Sequence, residues 1–327
     1  MNYHKLIWKN RYKELRLASR LWRRSHNGKK PKGGRPLFVA MIDGSYNHGG
    51  LCDRLKGIVS LYAYCKYNHL PFRIKYTFPY ELSEILIPSN YDWRLQEGEY
   101  SDNPFFTRVL FMKREFKADR LLKLKTKRQI HFYGNRDLLP CINQFYSEKG
   151  ENPDYDWGTL FRELFEPSDL LKRKIQLTKE KIGENYIAAV FRFQNLLGDF
   201  KEYDFQELPD DQKEGLIKKC IAGLKDIMAK HKEEKFLVTS DSASFLMEAA
   251  KIEKVHIIPG KLTHMDQVQE SKDNDLYESH LKSFVDFFML SDAKKIYRMS
   301  TSLMYPTQFP LYASKVHNIP FESIELE

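Results

Sequence analysis

From residue 37 onward, short runs of β-branched and aromatic residues alternate with longer segments of helical periodicity. That rhythm restricts the chain to a parallel α/β architecture. Residues 37–42 read as a buried strand, 51–67 as a helix and 71–77 as a second strand, which is a βαβ opening. After residues 80–87 the pattern loosens. Between 89 and 152 the single strand signal is 129–133, so this stretch is expected to carry much of a partner or acceptor surface. A second alternation begins with a strand at 186–193, with further strands at 235–239, 254–258 and 295–299. Helices are predicted at 210–230, 242–251, 276–290 and 305–316. The polar segment 166–181 separates the two halves, predicting α/β domains over 37–170 and 171–327, in keeping with roughly 150 residues per domain.

The formal net charge of +9 suggests a nucleic-acid binder until it is located. Residues 1–35 hold twelve Lys and Arg against one acid, Glu14, a net +11, so residues 36–327 sum to −2. Non-specific phosphate affinity needs a cationic surface spread over the fold, and no nucleic-acid partner is expected. Trp8, Tyr12, Leu15, Ala18 and Trp22 recur at steps of three and four among Lys9, Lys13, Arg16, Arg20 and Arg23. This spacing predicts a basic amphipathic helix over 4–24. Such a helix suits an anionic membrane surface, where each basic residue contributes about 1 kcal/mol; packing on the body, or a flexible arm, is the alternative. The Gly- and Pro-containing stretch 25–36 reads as a linker, setting 1–36 apart from the body. No run of about 18 apolar residues is present, and the basic N-terminus lacks the apolar core of a signal peptide. Cys52, Cys65, Cys141 and Cys220 form no CxxC pair and read as free thiols. The expected location is the cytoplasm, peripheral to the inner face of the cytoplasmic membrane.

Two strand ends lead into turns that carry an arginine. Gly49 and Gly50 follow the first strand and open a helix, so their backbone N–H groups can face an anion, with Arg54 in the helix's first turn. A plain tight turn, or an Asp53–Arg54 pair, is the alternative. Neither GxGxxG nor GxxxxGK[ST] occurs, which argues against a classical dinucleotide fold and a P-loop kinase. Arg192 ends an apolar strand, where a half-buried guanidinium calls for an anionic partner. A nucleotide-sugar's diphosphate would serve and gains charge as the sugar departs, although a structural salt bridge would also satisfy it. Ser240-Asp241-Ser242 closes another strand and offers either an N-cap or ligand groups. Ser300-Thr301-Ser302 follows a third, where hydroxyls and helix N–H groups can hold phosphate. Asp286 sits among Phe284, Val285, Phe287 and Phe288 and requires donors, which a guanine N1–H and amino group or a ribose hydroxyl would provide. The ten histidines form no HExxH, no Cys/His cluster and no DxD pair, so no metal cofactor is expected. His264 and Asp266 read as a structural loop pair. Asp199, on a turn near Arg192, is the favoured general base, with Asp53, Glu202 and Asp266 as rivals.

Together these motifs resemble those of the fucosyltransferase-like, metal-independent GT-B glycosyltransferases, the bacterial polysaccharide and lipopolysaccharide enzymes related to α-1,6, α-1,2 and protein O-fucosyltransferases. The Gly-Gly turn with Asp53-Arg54 is similar to the family's first-strand glycine turn. Residues 190–195 are similar to its His-x-Arg-Arg-x-Asp segment, with Val190 at the histidine and Phe193 at the second arginine. Ser240-Asp241, Asp286 with its Asp-x-x-x-Leu-Ser spacing, and Ser302 sixteen residues beyond Asp286 resemble the remaining motifs. The resemblance spans residues 37–325 and implies a GT-B fold, two Rossmann-like α/β/α domains facing across a cleft, acceptor side first and donor side second. It implies an inverting, metal-free transfer, GDP-fucose foremost as donor, to a hydroxyl of a cell-surface glycan or lipid-linked oligosaccharide, activated by a carboxylate. Arg192 and Ser302 would contact the diphosphate, Asp286 the guanine and Asp241 the same pocket. Gly49, Gly50, Arg54, Asn195, Ser240 and Ser300 would complete the donor site. A non-catalytic nucleotide-sugar or glycan-binding protein, or a transferase using another nucleotide-sugar, is the alternative.

Overall fold

The computed structural model describes residues 3–24, 35–112, 116–151, 155–199, 206–260 and 273–327. Most of the expected linker, together with Glu202, His264 and Asp266, lies outside these residues. The chain divides into two compact units, Met1–Glu166 and Pro167–Glu327.

Unit 1 runs α1 (Tyr3–Arg24), β1 (Phe38–Ile42), α2 (Leu51–Tyr67), β2 (Phe72–Tyr76), β3 (Leu86–Pro88), β4 (Thr107–Met112), α3 (Asp119–Leu122), β5 (Gln129–Gly134), α4 (Leu139–Ser147), α5 (Trp157–Leu164) and β6 (Phe165–Pro167). Four strands form a parallel sheet in the order β2-β1-β5-β4, while β3 and β6 pair separately. All five residues of β1 are buried, which is why it reads as an uninterrupted apolar run. A Cβ on Gly57 of α2 would stand 2.0 Å from the Gly134 carbonyl oxygen, so only glycine lets this helix meet the end of β5. The stretch 89–152 is more regular than its sequence suggests. Strand β4 gains its definition from pairing with β5, a long-range partner that local periodicity does not report.

Helix α1 packs on this unit through the face opposite its aromatic stripe. Leu17 and Asn10 are buried. Glu14 accepts from the Phe111 amide at 3.1 Å and from the Arg120 guanidinium at 2.7 Å, and Arg20 donates to the Ser45 carbonyl at 2.7 Å.

Unit 2 runs α6 (Asp169–Ile182), β7 (Tyr186–Phe191), α7 (Asp210–Lys230), β8 (Lys235–Ser240), α8 (Ala243–Ala249), β9 (Val255–Ile257), α9 (Asp273–Ser291), β10 (Lys295–Ser300), α10 (Phe309–His317) and β11 (Phe321–Glu325). The polar segment expected between the domains is helical. Ser168 caps α6, on which Leu171 and Ile182 are buried and Ile175 and Thr178 half-buried, a helical spacing set among many charged residues. The five strands are parallel in the order β11-β10-β7-β8-β9. One face of this sheet, with Ile187, Ala189, Phe191, Phe236, Val238, Tyr297 and Met299, shares a core with residues of α7 and α8. The alternate residues face α9, as the hydrogen bond from Tyr186 Oη to the Met289 carbonyl at 2.6 Å marks. Parallel alignment brings the carboxyl ends of β7, β8 and β10 to one edge, where ligands of α/β sheets bind.

Candidate active site

Strands β7 and β8 pair with Phe191 opposite Ser240, so the next residue of each, Arg192 and Asp241, leaves the sheet side by side. The Asp241 side chain is 1% exposed. Its oxygens accept from the backbone amides of Phe193 at 2.8 Å and Gln194 at 2.7 Å, and Oδ2 stands 3.2 Å from Arg192 Nη1. Burial pushes the Asp241 pKa up, against the opposing pull of Arg192 and the two amides. Asp241 therefore ties the two strand ends together and aims Arg192, whose side chain remains 22% exposed at the sheet edge. Phe193, at the position of the family's second arginine, is fully buried, with its ring 5.0 Å from that of Phe245 and stacked on Phe191. Val190 is likewise buried. Both departures from the motif are core residues.

Asp199, favoured from sequence as general base, is committed to another task. Its Oδ2 accepts from Ser242 Oγ at 2.5 Å and from the Ser244 amide and hydroxyl at 2.9 and 2.6 Å, anchoring the start of α8. Burial alone would raise its pKa, but these hydrogen bonds outweigh it and hold the carboxyl below its usual range. A carboxylate held in this way is a weak proton acceptor. Asn195 opens a turn closed by the Gly198 amide at 2.9 Å. Ser240 accepts from the Ser242 amide at 3.1 Å, and its buried side chain stays at the end of β8. Ser300 is buried at the end of β10 and Ser302 is exposed on the turn that follows. Helix α10 begins only at Phe309, seven residues beyond Ser302, so neither serine belongs to its first turn.

Asp286 lies on α9, 3% exposed, with Oδ2 accepting from Lys282 Nζ at 2.7 Å. Burial raises its pKa and the neighbouring Lys282 opposes the shift. Lys282 is the residue that sequence reasoning missed. Its position four residues before Asp286, on one helix face, was the available signal.

In unit 1, Gly49 adopts φ +83°, and a Cβ there would stand 2.7 Å from Asp53 Oδ2. Gly50 is the N-cap of α2, and Asp53 pairs with Lys56 at 2.6 Å. The expectation that Arg54 meets a donor phosphate is corrected. At 1% exposure, Arg54 donates to the carbonyls of Gly49 at 2.9 Å and Phe78 at 2.6 Å and to Tyr76 Oη at 2.9 Å. Its guanidinium closes the β1–α2 turn from inside.

Each unit is a Rossmann-like parallel sheet flanked by helices, and two such units in one chain are consistent with the GT-B fold. Among solved structures, the chain is similar to an Arabidopsis thaliana FUT1 mutant in complex with GDP, at a TM-score of 0.59 and 12% identity over 96% of this chain and 75% of that one. It is also similar to the NodZ α-1,6-fucosyltransferase of Bradyrhizobium, including a crystal soaked with GDP-fucose, at a TM-score of 0.51 and 11% identity over 86% of this chain and 92% of that one. The chain has the fold of these fucosyltransferases. No protein-family profile and no curated protein matches the sequence.

Proposed function

We propose that the protein is an inverting glycosyltransferase that moves a sugar, foremost fucose from GDP-fucose, onto a hydroxyl of a cell-surface glycan or lipid-linked oligosaccharide. The observation that carries this reading is Arg192, held by a buried carboxylate at the carboxyl edge of the unit 2 sheet. Displacement of the sugar leaves charge on the nucleoside diphosphate. A preoriented guanidinium stabilises that growing charge with little reorganisation, so the reading requires no metal ion. The likeness in fold to proteins solved with GDP and GDP-fucose supports the choice of donor. Calorimetry of the full chain with GDP, UDP and CMP tests it: GDP is expected to bind at micromolar concentration and to lose that binding in Arg192→Ala. Failure of all three nucleotides to bind defeats the proposal. Turnover of GDP-fucose with a glycan acceptor would establish catalysis, while binding without turnover of any GDP-sugar would favour a nucleotide-sugar-binding protein.

The outward face of α1 supports an anionic membrane surface as the place where this acceptor is met. Trp8, Tyr12 and Leu15 are 70%, 68% and 68% exposed. Lys5, Lys9, Arg11, Arg16 and Arg23 are exposed alongside them, and the helix's one acid, Glu14, is turned inward to Arg120. Aromatic side chains flanked by cations suit the headgroup layer. No helix among the described residues is long and apolar enough to cross a membrane. Flotation with phosphatidylglycerol-containing vesicles is expected for the wild type and not for a Trp8→Ser/Tyr12→Ser/Leu15→Ser variant. Equal flotation of the two would remove this partner.

A further inference from the structure

The face of α9 turned toward the sheet carries a polar stripe in an otherwise apolar layer: Ser279, Lys282 and Asp286, spaced three and four residues apart. The side chains of Lys282 and Asp286 are 6% and 4% exposed and meet at 2.7 Å. Burying two charges is expensive, and a Lys–Asp pair in a protein interior is weak evidence for stability as such. Asp286 Oδ1, Ser279 Oγ and, from β8, Thr239 Oγ1 are all buried with no hydrogen-bond partner among the described residues. Thr239 alternates with Val238 and so lies on the sheet face that α9 covers. Buried polar atoms are normally satisfied, and three orphans on facing surfaces point to a group that enters from outside. The stripe also sits at the ligand-binding edge. A Cβ on Gly260, just beyond β9, would stand 3.0 Å from Lys282 Cδ, so the lysine stem runs beneath the turn that leaves the sheet's carboxyl end.

We propose that Lys282 is a specificity-determining residue which, with the open Oδ1 of Asp286, reads the lactam edge of a nucleobase. The ammonium donates to the ring carbonyl and the carboxylate oxygen accepts from the adjacent ring N–H. This rests on the reading of unit 2 as the nucleoside-diphosphate domain. An ammonium beside a carboxylate oxygen presents a donor next to an acceptor, the complement of –NH–C(=O)–. Because Oδ2 already accepts from Lys282, the carboxylate has one open oxygen, and the 2-amino group of guanine goes unread. Lys282 also stabilises Asp286 as the carboxylate against the cost of burial. The amidine edge of adenine offers a weaker, amine donor to Asp286 and a ring nitrogen in place of the carbonyl.

Calorimetry of the full chain with GDP, IDP and ADP tests the assignment. The wild type is expected to bind GDP and IDP within about threefold of each other, and both about tenfold or more tighter than ADP. In Lys282→Met, GDP binding is expected to weaken about tenfold and ADP binding by no more than about threefold, so that the preference for GDP over ADP collapses to within about threefold, a pattern that general loosening of the fold would not produce. Should Lys282→Met fail to unfold cooperatively, Lys282→Gln, which keeps an N–H donor, is expected to retain part of the preference. The assignment is overturned if the wild type prefers GDP over IDP by about tenfold, if ADP binds as tightly as GDP, or if the preference survives intact in the Lys282 variants. Loss of GDP binding in Arg192→Ala with no effect of Lys282 overturns this assignment alone. Absence of binding by all three nucleotides overturns it together with the donor-domain reading.

Discussion

Arg192 Nη1 stands 3.2 Å from Asp241 Oδ2, and the same carboxylate holds the amides of Phe193 and Gln194. The two partners have unequal roles. Asp241→Asn removes a buried charge and leaves one of these donors facing an amide nitrogen, an expected loss of about 2–4 kcal/mol in urea unfolding. Arg192→Ala leaves both amide hydrogen bonds of Asp241 in place but takes the counter-charge from a buried carboxylate, and is expected to cost less, about 1–2 kcal/mol. Nucleotide titration should show the reverse emphasis: Arg192→Ala abolishes binding while leaving a well-folded protein. Equal stability losses in the two variants would contradict the pin described for Asp241.

Arg54 predicts the opposite outcome. Its hydrogen bonds to Gly49, Phe78 and Tyr76 are internal to unit 1. Arg54→Met is expected to destabilise the protein by about 2–4 kcal/mol, because buried carbonyls lose their donors. GDP affinity of the folded fraction should be unchanged. A selective loss of GDP affinity at unaltered stability would return Arg54 to the donor site.

Restoring the family's second arginine should fail. Phe193 is fully buried against Phe191 and Phe245. Phe193→Arg places an unpaired charge in that core, with an expected cost of about 4 kcal/mol or more. Phe193→Leu should cost about 1–2 kcal/mol. Soluble yield and thermal unfolding separate the two, and a soluble, stable Phe193→Arg protein would show that the position opens to solvent.

A pH dependence follows from His131, buried on β5 with its ring stacked on Tyr100 and Nε2 3.0 Å from Gln129 Oε1. Burial, helped by nearby Lys75, pushes its pKa down from 6.5 to about 4. As pH falls through 6.5 the unfolded chain protonates first, so stability is lost between about pH 6.5 and 4 and levels off below. The contribution is on the order of 3 kcal/mol. His131→Gln should remove this part of the slope when denaturant midpoints are compared across that range; an identical slope in both proteins would show that His131 does not contribute.

Much of the fold was legible because helix and strand periodicity is a local property. Helices α2 and α7 occupy the residues their periodicity predicts, and seven strands lie close to their apolar runs. Strand β4 and helix α6 escaped for different reasons. The first is defined by pairing with β5, which no local pattern reports, and the second carries Leu171, Ile175 and Ile182 at helical spacing inside a segment whose many charges read as a domain boundary. In the candidate site, the sequence order marked Arg192, Asp241 and Asp286 as polar groups in apolar surroundings. It could not tell which atoms would satisfy them.

The two arginine-bearing turns show where that boundary falls. By sequence alone, Gly49–Arg54 and the turn at Arg192 are equivalent: a strand, a turn and a guanidinium that needs acceptors. The tertiary structure separated them. Carbonyls from residues 49 and 78 and the hydroxyl of Tyr76 converge on Arg54 and consume it, whereas strand register sets Asp241 beside Arg192 and leaves that side chain partly exposed at the sheet edge. The alternating pattern determined that strands would feed such turns. Which arginine became structural and which faced outward was decided by partners distant in sequence, because burial and hydrogen-bond satisfaction exist only once the chain has packed.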